Sequence, residues 1–267
     1  MSKVVAAIDH SDTSKPVVKM AQALADLLDA WVEVVHVVED NDDAKHPLTL
    51  EAGPPVRHLS GDAVDVLSSV AAEEGVVAVV IGARAHSGDP RPAGHVAMVL
   101  AGLTDKPVVV VPPGSHPPER LRTVVVAMEG TRAKARALQR SIEISARAGL
   151  EIVVVHVHDE DSIPSFSDQV QHEAEAYAQE FFSRHLIGAP KMRLELRLGN
   201  PAIEVLAAIA SAQAELVAVG WPRSGDPRQG AVAKEILERS PVAVLLVDVF
   251  ESDGDAAPLP AEPGGSQ

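Results

Sequence analysis

The sequence predicts an α/β protein made of two tandem, open, five-stranded parallel-sheet domains. Three observations predict this fold: an internal repeat, an alternation of short apolar runs with helical patterns, and an aliphatic composition. Hydrophobic residues make up 46% of the 267 residues but aromatic residues only 3%. Val, Ala, Leu and Ile must therefore build the cores, as in buried parallel strands and their covering helices. The length favours two domains, each with its own core.

The internal repeat consists of four landmarks that recur in the same order, and the last recurs letter for letter. The matching segments are 4–9 with 124–129, 34–37 with 154–157, 63–67 with 202–206, and 87–91 with 224–228. Each copy alternates short apolar runs with longer helical patterns, which is typical of successive βαβ units. The chain is therefore predicted to be a tandem duplication.

The first copy is predicted to contain five strands separated by helices. A helix should start near Ser14, with Pro16 in its first turn, where a missing N–H costs nothing. Its apolar face is formed by residues at helical spacing, namely Val17, Ala21, Leu24 and Leu28. Further helices should follow Gly61 and Gly94. The strands are expected near 3–9, 32–38, 55–60, 76–82 and 107–112.

The second copy repeats this plan and adds one helix. Its strands are expected near 122–128, 151–157, 192–198, 215–220 and 241–248. The additional helix is indicated by an apolar stripe, with Ser167 or Asp168 as its cap; the stripe is Val170, Ala174, Tyr177 and Phe181. In the first copy the corresponding segment, 41–54, contains acids, Pro and Gly. We therefore expect the first copy to lack one helix, which leaves a sheet face near 55–60 as a candidate surface for a partner or for the other half.

These patterns predict two domains with a connection and a tail. The domains are 1–113 and 121–250. Residues 114–120 form a Pro-rich, extended linker, and 251–267 form a disordered acidic tail.

Charge and composition exclude several classes of function. Lys and Arg total 23 against 38 Asp and Glu, and the resulting charge of −15 repels nucleic acid and anionic membranes. The absence of Cys excludes disulfides and thiolate catalysis. No secretory signal and no apolar run of about 18 to 20 residues is present. We expect a soluble, cytoplasmic protein without a nucleic-acid or membrane partner.

Short motifs occur in the same order in both copies. In the first copy these are Ile8-Asp9, His36-Val37, Gly82, Gly94 and the Pro-Val run from Pro107 to Val111. In the second copy they are His156-Val157, Gly220, Gly230 and Pro241-Val242. With these motifs each copy resembles a universal stress protein domain, of the adenine nucleotide α-hydrolase-like fold class. The resemblance implies an open five-stranded parallel sheet and, in the members that bind ATP, phosphates held by a glycine-rich segment.

The resemblance also implies a candidate ATP site in the first copy. It would be formed at the carboxyl ends of the strands by Asp9, Val37, Gly82, Gly94 and His95. Asp9 would accept hydrogen bonds from the nucleoside, and the backbone of Val37 would meet adenine. The glycines and the following helix N-terminus would approach phosphate.

Both copies depart from the full nucleotide motif. In the first copy Ala85 replaces a glycine, His95 replaces a hydroxyl residue, and Pro90 and Pro92 remove N–H donors. In the second copy the departures are larger: Glu129, Arg223 and Ala231 stand at motif positions. The alternative interpretation is that Gly82, Gly94, Gly220 and Gly230 are only turn glycines inherited with the fold. A compensating phosphate contact by nearby cations stays open, although the sequence does not indicate one; these cations are Arg84, His95, Arg223 and Arg228.

Other polar residues point to no catalytic or metal site. His36 and His156 are interpreted as packed histidines, since no neighbouring His or carboxylate has metal-ligand spacing. The repeated Ser-Gly-Asp-Pro-Arg segment is good turn chemistry. The alternative interpretation is a new site that binds an anion or a partner, formed by Ser87, Arg91, Ser224 and Arg228.

We therefore predict a non-enzymatic stress-response protein that acts by binding or signalling, with a degenerate nucleotide site. Its two domains should pair through their last strands, near 107–112 and 241–248, as an intramolecular pseudo-dimer. A homodimer and an unknown protein partner stay open. Two alternatives remain: an ATP-binding switch in the first domain, with slow hydrolysis, and an enzyme acting on a small substrate in the strand-end crevice.

Overall fold

The computed structural model describes residues 1–38, 49–50, 53–83, 94–128, 142, 145–146, 148–158, 191–222 and 230–249. In the N-terminal half it contains β1 (Lys3–Ile8), α1 (Ser14–Leu28), β2 (Trp31–Val38), β3 (Val56–Ser60), α2 (Ala63–Ala71), β4 (Val76–Gly82), α3 (His95–Leu103) and β5 (Val108–Val111). In the C-terminal half it contains β6 (Thr123–Met128), β7 (Glu151–His158), β8 (Met192–Leu198), α4 (Pro201–Ala212), β9 (Leu216–Pro222), α5 (Ala231–Arg239) and β10 (Ala243–Val249).

All ten predicted strands are present, and helices follow Ser14, Gly61 and Gly94 as predicted. Several predictions lie outside the described residues: the additional helix over 170–181 with its caps, both Ser-Gly-Asp-Pro-Arg segments, and the tail 251–267. Most of 41–54 also lies outside them. No helix in the described part of the chain has the length and apolar character needed to cross a bilayer.

The strands form one ten-stranded sheet in the order β3-β2-β1-β4-β5-β10-β9-β6-β7-β8. Neighbouring strands are parallel within each half, and β5 and β10 are antiparallel. Val110 is opposite Val244, and Val108 is opposite Leu246. Two open five-stranded parallel arrays are therefore joined edge to edge through their last strands.

The apolar core is divided by sheet face, not by half. One cluster contains Val5 and Ala7 together with residues of α2 to α5, and the other contains Val4 and Ala6 together with residues of α1. Both clusters include residues from both halves. This differs from the expected separate core in each copy. Side chains alternate across a strand, and the β5–β10 pairing continues both faces across the junction.

The edge strand β3 is the least covered strand of the N-terminal half. Arg57, His58 and Ser60 are exposed, and Val56 and Leu59 are half-buried. Exposed positions therefore occur on both faces of β3. The predicted lack of a covering helix concerns 41–54, most of which lies outside the described residues, and it stays a prediction.

The connection between the halves contains no helix or strand over 112–122. It nevertheless packs against the protein, since Pro117 is buried. Gly114 has a φ of +71° and makes the turn in which the Ser115 N–H donates to the carbonyl of Pro112 at 3.3 Å.

Candidate functional site

The candidate site lies where β1 and β4 are neighbours although the chain forms β2 and β3 between them. Such a switch in strand order opens a crevice at the carboxyl ends of the strands, where open α/β sheets bind ligands. Asp9 directly follows β1, and Ala83 directly follows β4. This is the part of the N-terminal half in which the sequence predicted a nucleotide.

The side chain of Asp9 is bonded within its own turn. Its Oδ1 accepts hydrogen bonds from the Ser11 N–H at 2.9 Å and from the Ser11 hydroxyl at 2.5 Å. The Ser14 hydroxyl donates to the Asp9 carbonyl at 2.5 Å and accepts from the Asp9 N–H at 3.2 Å. This is the local bonding that Asp favours in turns, and it joins the end of β1 to the start of α1.

The start of α3 is bonded directly to the end of β4. The Ala83 N–H donates to Val111 at 2.9 Å, and the Gly94 N–H donates to the carbonyl of Ala83 at 2.5 Å. Gly94 has a φ of +75°, a left-handed conformation that glycine adopts without steric cost. Ala83 and Gly94 are therefore held next to each other, and the N–H of Gly94 already has a hydrogen-bond partner.

The N-terminus of α3 leaves backbone donors outside the helix. The first bond of the helix runs from the Met98 N–H to the carbonyl of Gly94 at 2.7 Å. The N–H groups of His95, Val96 and Ala97 thus precede that ladder. Neither a side-chain cap nor an acid in the first turn opposes an anion there.

The five predicted site residues lie at the carboxyl ends of three adjacent strands. Asp9 follows β1, Gly82 ends β4, and Val37 is half-buried near the end of β2. Gly94 and the exposed His95 are brought to the same end by the bond to Ala83. Their part in nucleotide binding stays a prediction.

Three histidines form a row beside this crevice. The sequence analysis did not predict that they lie together. His36 is only 2% exposed and pairs in register with Ile8 and with His58. Its Nδ1 lies 3.3 Å from Nδ1 of His58. The ring of His10 lies 5.0 Å from that of His36, nearly perpendicular to it. His36 is packed, as the sequence predicted. No sequence spacing revealed its histidine neighbours, because sheet register brings together residues that are distant in sequence.

The equivalent histidine of the C-terminal half has different neighbours. His156 is buried, and its Nδ1 lies 3.2 Å from the carbonyl oxygen of Met128. Its register partners are Met128 and Leu196. Leu196 thus occupies the place that His58 has in the N-terminal half.

An ion cluster lies at the opposite, amino-terminal end of β1 to β3. Lys3 Nζ lies 2.6 Å from a carboxylate oxygen of Glu33 and 2.7 Å from one of Glu73, and Arg57 contacts both acids. The hydrogen bond from Lys3, with the one from Arg57, outweighs burial and lowers the pKa of Glu73. Burial alone would lower the pKa of Lys3, but its bonds to the two acids raise it. The cluster thus lies at the end of the sheet opposite the candidate site and holds β1, β2, β3 and the residues just after α2 together by ion pairs.

A cleft of about 730 Å³ lies between α1 and the amino ends of β6 and β7, within the usual size range of ligand sites. Its charged lining residues are Asp26, Arg120, Arg122, Glu151 and Lys191. The backbone N–H groups of Arg122 and Thr123 donate to the Glu215 carboxylate, both at 2.8 Å. The cleft is distinct from the strand-end crevice, and no sequence motif indicated it.

Comparison with solved structures supports the tandem fold. A universal stress protein from Archaeoglobus fulgidus is similar with a TM-score of 0.64 and 16% identity, over 93% of this chain and 98% of that one. A putative universal stress protein from Pseudomonas aeruginosa is similar with a TM-score of 0.67 and 12% identity, over 93% of both chains. No curated protein matches the chain.

The sequence model of the universal stress protein family matches residues 1–55 and 120–248. The match covers the C-terminal half almost completely but stops in the N-terminal half before β3. Gly82, Gly94 and His95 therefore lie outside it. Because the matched segments make up more than half of the chain, the protein belongs to the universal stress protein family.

Proposed function

We propose that the protein is a non-catalytic stress-response protein that acts by binding or signalling, and that its nucleotide site is weakened or lost. In this proposal the units 1–113 and 121–250 act as a pair within one chain. The observation that carries the proposal is the internal bonding of the groups expected to hold a nucleotide.

Two of those groups already have partners within the protein. An oxygen of the Asp9 carboxylate accepts two hydrogen bonds from Ser11, and the Gly94 N–H donates to Ala83. A nucleotide would have to compete with these bonds, and breaking each one costs about 0.5–1.5 kcal/mol net, more where a charge is involved. The residue changes at the glycine-rich segment, including Ala85 and His95, act in the same direction.

The test is a direct measurement of nucleotide content and affinity. Nucleotide would be extracted from the purified full-length protein, and the stripped protein titrated calorimetrically with ATP and Mg²⁺. We expect no stoichiometric nucleotide and no heat of binding at millimolar ATP. Adenine nucleotide that co-purifies with the protein, or a dissociation constant for ATP well below millimolar, would contradict the proposal.

The second candidate function is an ATP-binding switch in the N-terminal half. It is favoured by the first turn of α3, where three backbone N–H groups meet no side-chain cap and no acid. If the titration detects ATP, Asp9→Ala should then abolish binding, while Glu129→Ala at the equivalent position of the other half should not. Phosphate release measured on the same variants would show whether the switch hydrolyses ATP.

A further inference from the structure

We propose that His36 and His58 form a binding site for a divalent transition cation of the zinc type. The inference rests on the register and geometry of these two imidazoles and is independent of nucleotide binding.

The separation of the two nitrogens is the distance that a shared metal ion requires. A tetrahedral metal with two Zn–N bonds of about 2.0–2.1 Å holds its two nitrogens about 3.3–3.4 Å apart. The Nδ1 atoms of His36 and His58 lie 3.3 Å apart. The same two atoms are close enough to share a hydrogen bond, and the rings are nearly perpendicular. An ion would therefore take the place of the shared proton and turn the rings so that both nitrogens face it.

The sheet holds this pair in place. His36 and His58 are register partners in the parallel strands β2 and β3, and register partners lie on the same face of a sheet. His36 is 2% exposed and has the ring of His10 against it at 5.0 Å. A ligand pair on two hydrogen-bonded strands is more rigid than one on a loop.

The site is open on the side of His58. His58 is exposed on the edge strand, so an ion can arrive from solvent and keep water molecules in its remaining positions, as open zinc sites do. No group of three or more His, Asp or Glu side chains among the described residues is placed to hold a metal ion. Two imidazoles and water therefore define a labile site, which favours Cu²⁺, Ni²⁺ and Zn²⁺ over Mg²⁺ and Ca²⁺.

The test uses the full-length, tag-free protein after removal of metal with a chelator. Zn²⁺ would be titrated calorimetrically into the native protein and the His58→Leu variant, which places at residue 58 the residue type that the C-terminal half has at 196. Since losing even a supporting partner costs about 10- to 100-fold in metal affinity, losing a ligand should weaken this site by at least about tenfold. His58 is exposed, so the variant should fold, and circular dichroism would verify this.

The matched control is His116→Gln, which removes an exposed histidine far along the chain in the connection between the halves. Zn²⁺ binding should be unchanged in this variant. Cu²⁺ bound to the native protein should show two nitrogen ligands by electron paramagnetic resonance, and His58→Leu should remove that signal. An affinity and a spectrum that are the same in His58→Leu and in the native protein would overturn the proposal.

Discussion

The two halves have the same architecture but differ in the polar groups at the ends of their strands. In the N-terminal half His36 faces a second imidazole, His58, across the β2–β3 register. In the C-terminal half His156 lies beside a main-chain carbonyl and has Leu196 in the corresponding place. The two halves thus share their backbone architecture and apolar pattern, while the side chains at the strand ends differ.

The backbone conformation at the start of equivalent helices, in contrast, is nearly the same in both halves. Gly61 and Gly199 have φ values of +136° and +131° and precede the caps of α2 and α4. Gly94 and Gly230 both cap the next helices in left-handed conformations. The following substitutions test whether equivalent positions of the two halves also contribute equally to the free energy of unfolding.

The largest effect is expected at the junction that the halves share. Leu246 is 1% exposed, lies opposite Val108, and belongs to one of the two apolar clusters, both of which span the halves. Leu246→Ala should lower the free energy of unfolding by about 2–5 kcal/mol, through lost burial and a cavity. Denaturant unfolding would measure this, with Leu103→Ala at a 62% exposed position as the control. A loss no larger than that of the control would show that the junction contributes little.

Replacing the glycine caps by Ala should lower the free energy of unfolding by less than this, and by different amounts in the two halves. Alanine in a left-handed conformation costs about 1–2 kcal/mol, and φ is +75° at Gly94 but +93° at Gly230. Gly230→Ala should therefore destabilise more than Gly94→Ala, as measured by denaturant unfolding.

Gly102→Ala in α3 is the control for these variants. A Cβ there would meet Trp221 Nε1 only at 3.9 Å, so this change should be neutral or stabilise the helix by about 0.5–1 kcal/mol. If all three variants destabilised equally, the conformational argument would fail.

The polar caps should have effects of about equal size in the two halves. Asp62 accepts from Val64 N–H and Asp65 N–H, and Asn200 accepts from Ile203 N–H. Replacing either by Ala should cost about 1 kcal/mol, visible as a lower thermal midpoint. Asp62→Asn should retain most of the stability, because Asn caps as well as Asp; a full loss in that variant would contradict the capping role.

The smallest effect concerns the ion cluster of the N-terminal half. The pKa of Glu73 in the folded protein is lowered from its ordinary 4.5, so its contribution is present above that pH and lost as pH falls through the lowered value. Glu73→Gln should cost about 1 kcal/mol or less at neutral pH, and the difference from the native protein should vanish in acid.

Unfolding measured across pH, with the exposed neighbour Glu74→Gln as the control, would test this. The raised pKa of Lys3 adds stability that is present below its ordinary 10.5 and is lost as pH rises through the raised value. A Glu73→Gln difference that persists unchanged at low pH would contradict the assignment.

The sequence by itself determined the duplication, the ten strands and most helix starts. These follow from local signals: apolar runs such as that of β5, the spacing of Val17 and Leu24, and glycines before helices. The same signals led to the family and to the strand ends where Asp9, Gly82 and Gly94 lie.

Only the tertiary structure decided the features that depend on contacts between distant segments. The core continues across β5 and β10, Asp9 is bonded to Ser11, and His58 lies beside His36. Local propensity cannot reveal such pairs, because strand order and register fix them, and a shift of one residue would turn His58 to the other face of the sheet. The sequence therefore indicates that the candidate site lies at the carboxyl ends of the strands, and strand register determines which side chains meet there.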